Sequence, residues 1–344
     1  MHQPPPQTSP TRSGATTWAA GALGVGVSAF CMWWMFRGLE TRDIGQALSQ
    51  VSAAHVVGYA LVAAATQAAR VWRWVVQVRG LGSTQTGWCA SIGAMGLSAI
   101  FFLPARLGEF VRPVWLARGS RVSLPQAMST IVAERLVDGA IVGGILLAGG
   151  LGARAAGALA PQALWRIEAV GLGAGVCFLG ALGGIVAASR WRGAFMRGMG
   201  RVMRGRLPAL RERVSDALER FSEGIQTLWR RKTLGRFLFW SAAIWVLNWA
   251  GVALVFDAVG VELPIHAAWI VLGATALGIL VPAAPTSVGT FHFAVAWTLG
   301  LYGVPSAQAL ACALLMHAGQ VASHMGLAGL GTLGWLRWRG APRG

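Results

Sequence analysis

Residues 88–118 read WCASIGAMGLSAIFFLPARLGEFVRPVWLAR, and the fold turns on whether this stretch crosses a membrane or enters and leaves it on one side. It lies between two basic regions. Upstream are Arg70, Arg73 and Arg79. Downstream a run from Arg190 to Arg236 includes Arg192, Arg197, Arg201, Arg204, Arg206, Arg211, Arg213, Arg220, Arg230, Arg231 and Lys232. Lys and Arg flanking apolar segments collect on the cytoplasmic side, so both regions belong inside. The apolar stretches between them are roughly 88–103, 126–150 and 166–188. Three crossings would put the two basic regions on opposite faces, so the number must be even. Residues 88–118 therefore read as a re-entrant hairpin that turns at Leu103-Pro104-Ala105. Gly96, Pro104, Gly108 and Pro113 supply the breaks. Backbone of this kind survives in a bilayer only when buried in protein or lining a wet cavity.

The whole composition supports a membrane setting. Of 344 residues, 55% are hydrophobic and 12% charged, about half the charged share of an average soluble domain. Mean hydropathy is +0.56. Apolar runs extend over Trp18–Met35, Val51–Ala69, Ile141–Leu151, Ala169–Ala188, Phe237–Phe256, Ala267–Val281 and Leu310–Leu336. A spanning helix needs about 20 apolar residues, and several runs reach this with their flanks. Many tryptophans stand near run ends, as an interfacial belt would place them. The net charge of +17 is carried between apolar runs, which points to orientation and anionic lipid rather than nucleic acid. Cys31, Cys89, Cys177 and Cys312 lie in apolar segments without metal spacing, and read as small apolar residues. No metal or cofactor is expected.

The second half repeats the pattern. From the acidic, outward loop near Asp257 and Glu262 to the basic C-terminus, the crossings must be odd in number. A hairpin at Pro282-Ala-Ala-Pro285 plus one crossing satisfies this, and so would three crossings. An internal similarity favours the hairpin: Pro104-Ala-Arg-Leu-Gly108 then Gln126-Ala-Met, against Pro282 to Gly289 then Gln308-Ala-Leu. The expected architecture is an all-α polytopic membrane protein with about six full transmembrane helices and two re-entrant hairpins in an inverted-topology repeat, with a site where the broken helices meet. Residues 1–17 read as a disordered tail, 18–336 as one membrane domain and 337–344 as a basic cytoplasmic tail. The repeats cover about 18–150 and 165–336, with a basic and amphipathic cytoplasmic insert at 190–235. Within the insert, Leu210, Val214, Ala217, Phe221, Ile225 and Leu228 fall on one helical face. Such a helix lies on the inner leaflet or packs on the protein's own loops.

Each intramembrane charge costs on the order of 3 kcal/mol or more unless paired or wet. Nine acids fit loops, edges or the amphipathic helix; Glu109, Glu134 and Asp138 do not. Glu134 and Asp138, four apart, share a helix face, and Arg135 is three from Asp138 and can pair with it. Arg106 and Glu109 stand at the hairpin with Arg112 one turn on. This near-neutral cluster of Arg106, Glu109, Arg112, Glu134, Arg135 and Asp138 suits phosphate through its guanidinium forks. A self-satisfied ion network that fixes helix packing is the other reading. The corresponding second half-site comprises Pro282, Pro285, Gly289, His292, His317 and Gln320, with His324 on the face of His317. These histidines suit proton coupling, or simply core hydrogen bonding. No phosphate-binding Gly loop, nucleophile elbow or metal spacing is present, so no enzyme is expected.

Arg106-Leu-Gly-Glu109 with Arg112, then Ala133-Glu-Arg-Leu-Val-Asp138, then Pro282 to Gly289 with Thr290-Phe291, resemble the transmembrane, flippase-type region of bacterial lysylphosphatidylglycerol synthases over roughly residues 18–336. The resemblance implies a multi-pass bacterial inner-membrane protein, both termini cytoplasmic, that moves phosphate-bearing lipids, anionic or polyprenyl-linked. The alternative is a non-transporting subunit that presents a lipid to a separate synthase or glycosyltransferase. Partners would be such lipids, with a second copy of the chain or a lipid-modifying enzyme. The sequence stops at Gly344 without a soluble aminoacyl-transferase domain, so lipid lysylation is not implied. Thr286-Ser287 stands where the family often has Pro-Gly, and His317 where it often has Arg.

Overall fold

The computed structural model describes residues 13–82, 84–191, 208–281 and 284–338, with side chains except at 13–22, 104–106 and 208–211. The expectations for the start of the N-terminal tail, for Pro282, for the Arg106 side chain, for the basic run 192–207 and for most of the C-terminal tail lie outside the described residues. The described chain is helical, with no strand. In order it forms α1 (Ser13–Phe36), α2 (Thr41–Ser49), α3 (Ala53–Leu81), α4 (Thr86–Phe102), a 3-10 helix (Pro104–Phe110), α5 (Val111–Gly119), α6 (Leu124–Ala155) and α7 (Pro161–Arg190). Then come α8 (Pro208–Leu228), α9 (Arg231–Val259), α10 (Ile265–Gly278), a short 3-10 turn (Pro285–Ser287), α11 (Thr290–Leu301) and α12 (Ser306–Trp338).

Among the described residues, three helices, α6, α7 and α9, are long and apolar enough to cross a membrane, and a fourth span arises if α2 and α3, bent by 87°, count as one. That is fewer than six on length and composition. The physical reason lies in the central helices: α3 carries Gln67, Arg70, Arg73 and Gln77, and α12 carries His317, Gln320 and His324 within their apolar runs. The outward faces are apolar, with Leu61, Leu172, Val176 and Leu330 all more than half exposed. A surface of this kind suits lipid rather than water. Helix α7 packs on α6 through small residues: a Cβ on Gly171 would stand 2.7 Å from Leu147 N and 3.0 Å from Gly143 O. Close approach of this sort drives helix association where lipid competes for apolar surface.

Both expected hairpins are present as broken helices. Helix α4 ends because Leu103, ahead of Pro104, must leave helical space, and it takes φ −84°, ψ 140°. The chain then doubles back, and the 3-10 helix and α5 pack against α4. A Cβ on Gly108 would overlap the backbone of Ala99 and Ile100, so only glycine allows this approach. In the second hairpin, α10 and α11 pack together around the 3-10 turn. Thr286 (φ 61°) and Ser287 (φ 55°) are non-glycine residues in left-handed space, which costs of order 1–3 kcal/mol each. Helix α1 braces this turn: Ala284 N donates to Ser28 Oγ at 2.8 Å, and Gly289 (φ 92°) lies against the Ser28 backbone.

The basic segment Arg70–Arg79 forms the last turns of an unbroken α3, in which Arg73 is only 4% exposed. Its apolar neighbours and its partner on α6 extend the helix past the basic residues. Helix α8 has the predicted amphipathic pattern, and its C-terminal half packs on the protein itself: Ile225 and Leu228 are buried with Ala133, and Gln126 Nε2 donates to Glu223 at 3.1 Å.

Gly108→Val should open the first hairpin and lower the melting temperature in detergent, by the equivalent of about 1–3 kcal/mol or more. Gly144→Ala, where nothing stands within 4 Å, is the control and should leave it unchanged or raised.

Candidate functional site

The carboxylates of α6 determine the site. As expected from their spacing, Glu134 and Asp138 turn to one side of the helix, toward α3. There Arg73 grips Asp138 with both ends of its fork, NH1 to Oδ1 at 2.6 Å and NH2 to Oδ2 at 2.8 Å, while its Nε lies 3.7 Å from Glu134. Arg112, from α5 of the hairpin, donates to Glu134 Oε2 at 2.9 Å, and Gln77 donates to Oε1 at 2.9 Å. Trp245 of α9 donates to Asp138 at 3.2 Å. Arg112 is 1% exposed, with its guanidinium 5.6 Å from the Trp74 ring. Thus α3, α5, α6 and α9 meet in one charge-assisted network, strong because each bond has an ionised member.

The predicted pairing of Arg135 with Asp138 is not formed. Asp138 faces the bidentate fork of Arg73, and Arg135 turns to the hairpin and meets Glu109 at 3.0 Å. Arg112 is likewise enclosed beneath Glu134 rather than open to a ligand. The structure therefore brings Glu109, Arg112, Glu134, Arg135 and Asp138 together but divides their duties: most are engaged with one another. Sequence reading missed Arg73, Gln77 and Trp245. The signal was present, since Gln67, Arg70, Arg73 and Gln77 recur at three, three and four residues and so share one face of α3.

Next to this network is a cavity of about 200 Å³ between α3, α4, α6, α9, α10, α12 and the second hairpin. Its walls are largely apolar, including Leu97, Phe101, Leu272 and Phe291. Two cations, Arg70 and Arg135, reach it, and the Nε of each is buried without a hydrogen-bond partner. Gln320 of the second half-site lines it too. The other described members of that half-site do other work. Pro285 opens the strained turn and Gly289 seats it on α1. His292 and His317 stack on each other, centroids 4.6 Å apart at 18°, and His324 stacks on Phe101 at 4.2 Å. His292 and His317 form an aromatic core beside the cavity, whereas His324 and Phe101 line it.

The family model described as Lysylphosphatidylglycerol synthase TM region matches residues 21–328. The chain belongs to this family. No curated protein matches it. The match spans both hairpins, the α3–α6 network and every described residue that lines the cavity. Membership makes this a multi-pass membrane protein of a lipid-associated family, which accords with the lipid-facing exterior.

Removing one partner of a buried ion pair costs about 3–5 kcal/mol, whereas removing both leaves no stranded charge. Arg73→Leu should therefore lower the melting temperature strongly. The double change Arg73→Leu with Asp138→Leu should recover more than half of that loss. Thermal unfolding in detergent with tryptophan fluorescence measures both; equal loss in the single and double variants would rule out a stabilising pair.

Proposed function

We propose that the chain is a lipid translocase for a phosphate-bearing lipid, without enzymatic activity of its own. The observation that carries this reading is the central cavity: an apolar chamber inside a membrane protein, bordered by two broken helices, into which the only described charges projecting are Arg70 and Arg135. Guanidinium groups held in a low-dielectric site are matched to phosphate oxygens in charge and in fork geometry. The phosphate would sit between them and the acyl or prenyl chains would leave along the apolar walls. Glu109 would hold Arg135 in place when the cavity is empty, through the 3.0 Å bond. Arg112 would act indirectly, by fixing the hairpin on Glu134. The order of elements supports an inverted repeat of two halves, α1, α3, first hairpin, α6 and then α7, α9, second hairpin, α12. In this reading six helices span the bilayer, the hairpins enter from opposite sides, and both termini face the cytoplasm of a bacterial inner membrane.

Transport is tested in proteoliposomes with a tail-labelled phosphatidylglycerol whose outer-leaflet fraction is bleached. The wild type should equilibrate the label across the bilayer. Arg70→Gln and Arg135→Gln should each slow this about tenfold or more. Their melting temperatures should stay close to wild type, because Arg135 is 37% exposed in its side chain and a half-exposed pair contributes about 0–1 kcal/mol. Arg135→Lys keeps the charge, loses the fork and should transport poorly. Phosphatidylglycerol bound tightly but never moved would instead establish the lipid-presenting role.

Topology is tested by single-cysteine labelling in a protein lacking the four native cysteines. Position 262 should react from the periplasm and position 232 only from the cytoplasm. Labelling of 232 from outside would overturn the orientation.

A further inference from the structure

The charges and hydrogen-bonding groups at the cavity define the head group more narrowly than a phosphate does. Among the described side chains of the site, Arg70, Arg73, Arg112 and Arg135 face Glu109, Glu134 and Asp138, four cations against three anions. All three carboxylates are engaged by arginines, and none lines the cavity among the described residues. Two acids are bonded to wall residues: Asp138 is capped by Trp245 and gripped by Arg73, and Glu109 is held by Arg135. A cationic head group would therefore meet two guanidinium groups and no carboxylate. The polar groups around Arg70 and Arg135 are instead neutral: Gln67, Asn248, Thr286, Ser287 and Gln320. Gln67 is 5% exposed, and its Oε1 is buried without a hydrogen-bond partner, an acceptor with nothing to accept. Thr286 and Ser287 stand in left-handed backbone that glycine would fill without strain, yet both carry hydroxyls at the cavity wall.

We infer that the cavity is built for a phosphodiester followed by a neutral, hydroxyl-bearing head, and that it turns away aminoacylated and other cationic heads. The phosphate answers Arg70 and Arg135, and a head-group hydroxyl donates to Gln67 and exchanges hydrogen bonds with Thr286, Ser287 or Gln320. A glycerol phosphate of a bilayer lipid and a hexose phosphate on a polyprenyl chain share this chemistry. The inference rests on the translocase reading for the place of the site, but it concerns which head binds rather than whether the lipid moves.

Native mass spectrometry of the full chain, released from nanodiscs of phosphatidylcholine doped with one test lipid, measures it. The test lipids are phosphatidylglycerol, a polyprenyl phosphate hexose, phosphatidylethanol and lysylphosphatidylglycerol. Phosphatidylethanol is a monoanion without a head-group hydroxyl. At least one of the two hydroxylated lipids should bind about tenfold more tightly than lysylphosphatidylglycerol and clearly more tightly than phosphatidylethanol. Whichever of the two is tighter identifies the source. Arg70→Gln should abolish the discrimination against the cationic lipid. The pair Thr286→Ala with Ser287→Gly should bring phosphatidylglycerol down to the level of phosphatidylethanol while melting no lower than wild type, a result that a merely structural turn would not give. Lysylphosphatidylglycerol binding as tightly as phosphatidylglycerol overturns the charge half of the inference; phosphatidylethanol binding equally overturns the hydroxyl half. Selective binding without flipping contradicts the translocase and leaves this inference standing, and flipping of the lysylated lipid does the reverse.

Discussion

Two carboxylates four residues apart on one membrane-embedded helix stay ionised only if cations reach them, and in this protein the cations come from two other helices. Arg73 crosses from α3 to hold Asp138 by both oxygens, and Arg112 reaches from the first hairpin to Glu134. The consequences run outward. Because Arg112 belongs to α5, satisfying Glu134 also docks the first hairpin on the bundle. Because Arg73 sits in the last third of α3, satisfying Asp138 sets the height of α3 against α6, and the bond from Trp245 adds α9. Once these acids are taken up, Arg70 and Arg135 are left beside an apolar cavity with Nε groups that find no partner in the protein. An arrangement that neutralises its acids completely and its bases incompletely has an anion as its natural complement.

The two hairpins hold their shape by different means. In the first, proline ends α4 and glycine permits the return: Leu103 is forced out of helical space, and Gly108 lies where any side chain would strike the backbone of α4. In the second, strain takes the place of glycine. Thr286 and Ser287 hold left-handed conformations, and the turn is kept from relaxing by the hydrogen bond from Ala284 to Ser28 and the contact of Gly289 with α1. Strain that is kept at a cavity wall when a glycine would remove it marks the turn as part of the site.

Much of this was legible in the sequence. Charge parity located the first hairpin, since an odd number of crossings would have put Arg79 and Arg190 on opposite faces. For the second, parity left two choices and the internal similarity selected the hairpin, and the breaks fall at the expected Pro104 and around Pro285. The acids of the site were legible because ionised groups inside a bilayer must be explained one by one. Their partners were not. Arg135 is the nearer base to Asp138 along the chain, but Arg73, sixty-five residues away, approaches with a better fork. Helical spacing ranks local pairs and carries no information about a neighbouring helix. Arg70 and Arg73 were read only as a basic, inward-facing segment because bases usually end a span; that rule says nothing of a helix that extends beyond them and buries one against a carboxylate. The number of spans was obscured for a related reason, since the central helices α3 and α12 carry the polar groups that line the site.

The central claim is that Arg70 and Arg135 form the protein's anion site, and an experimental structure in phosphatidylglycerol nanodiscs at side-chain resolution tests it most directly. A phosphate should stand between the two guanidinium groups, about 3 Å from the nearest nitrogen of each, with Arg73 still on Asp138 and Arg112 still on Glu134. A cavity holding only hydrocarbon or water, with Arg70 and Arg135 both turned onto carboxylates of the protein, would contradict the account.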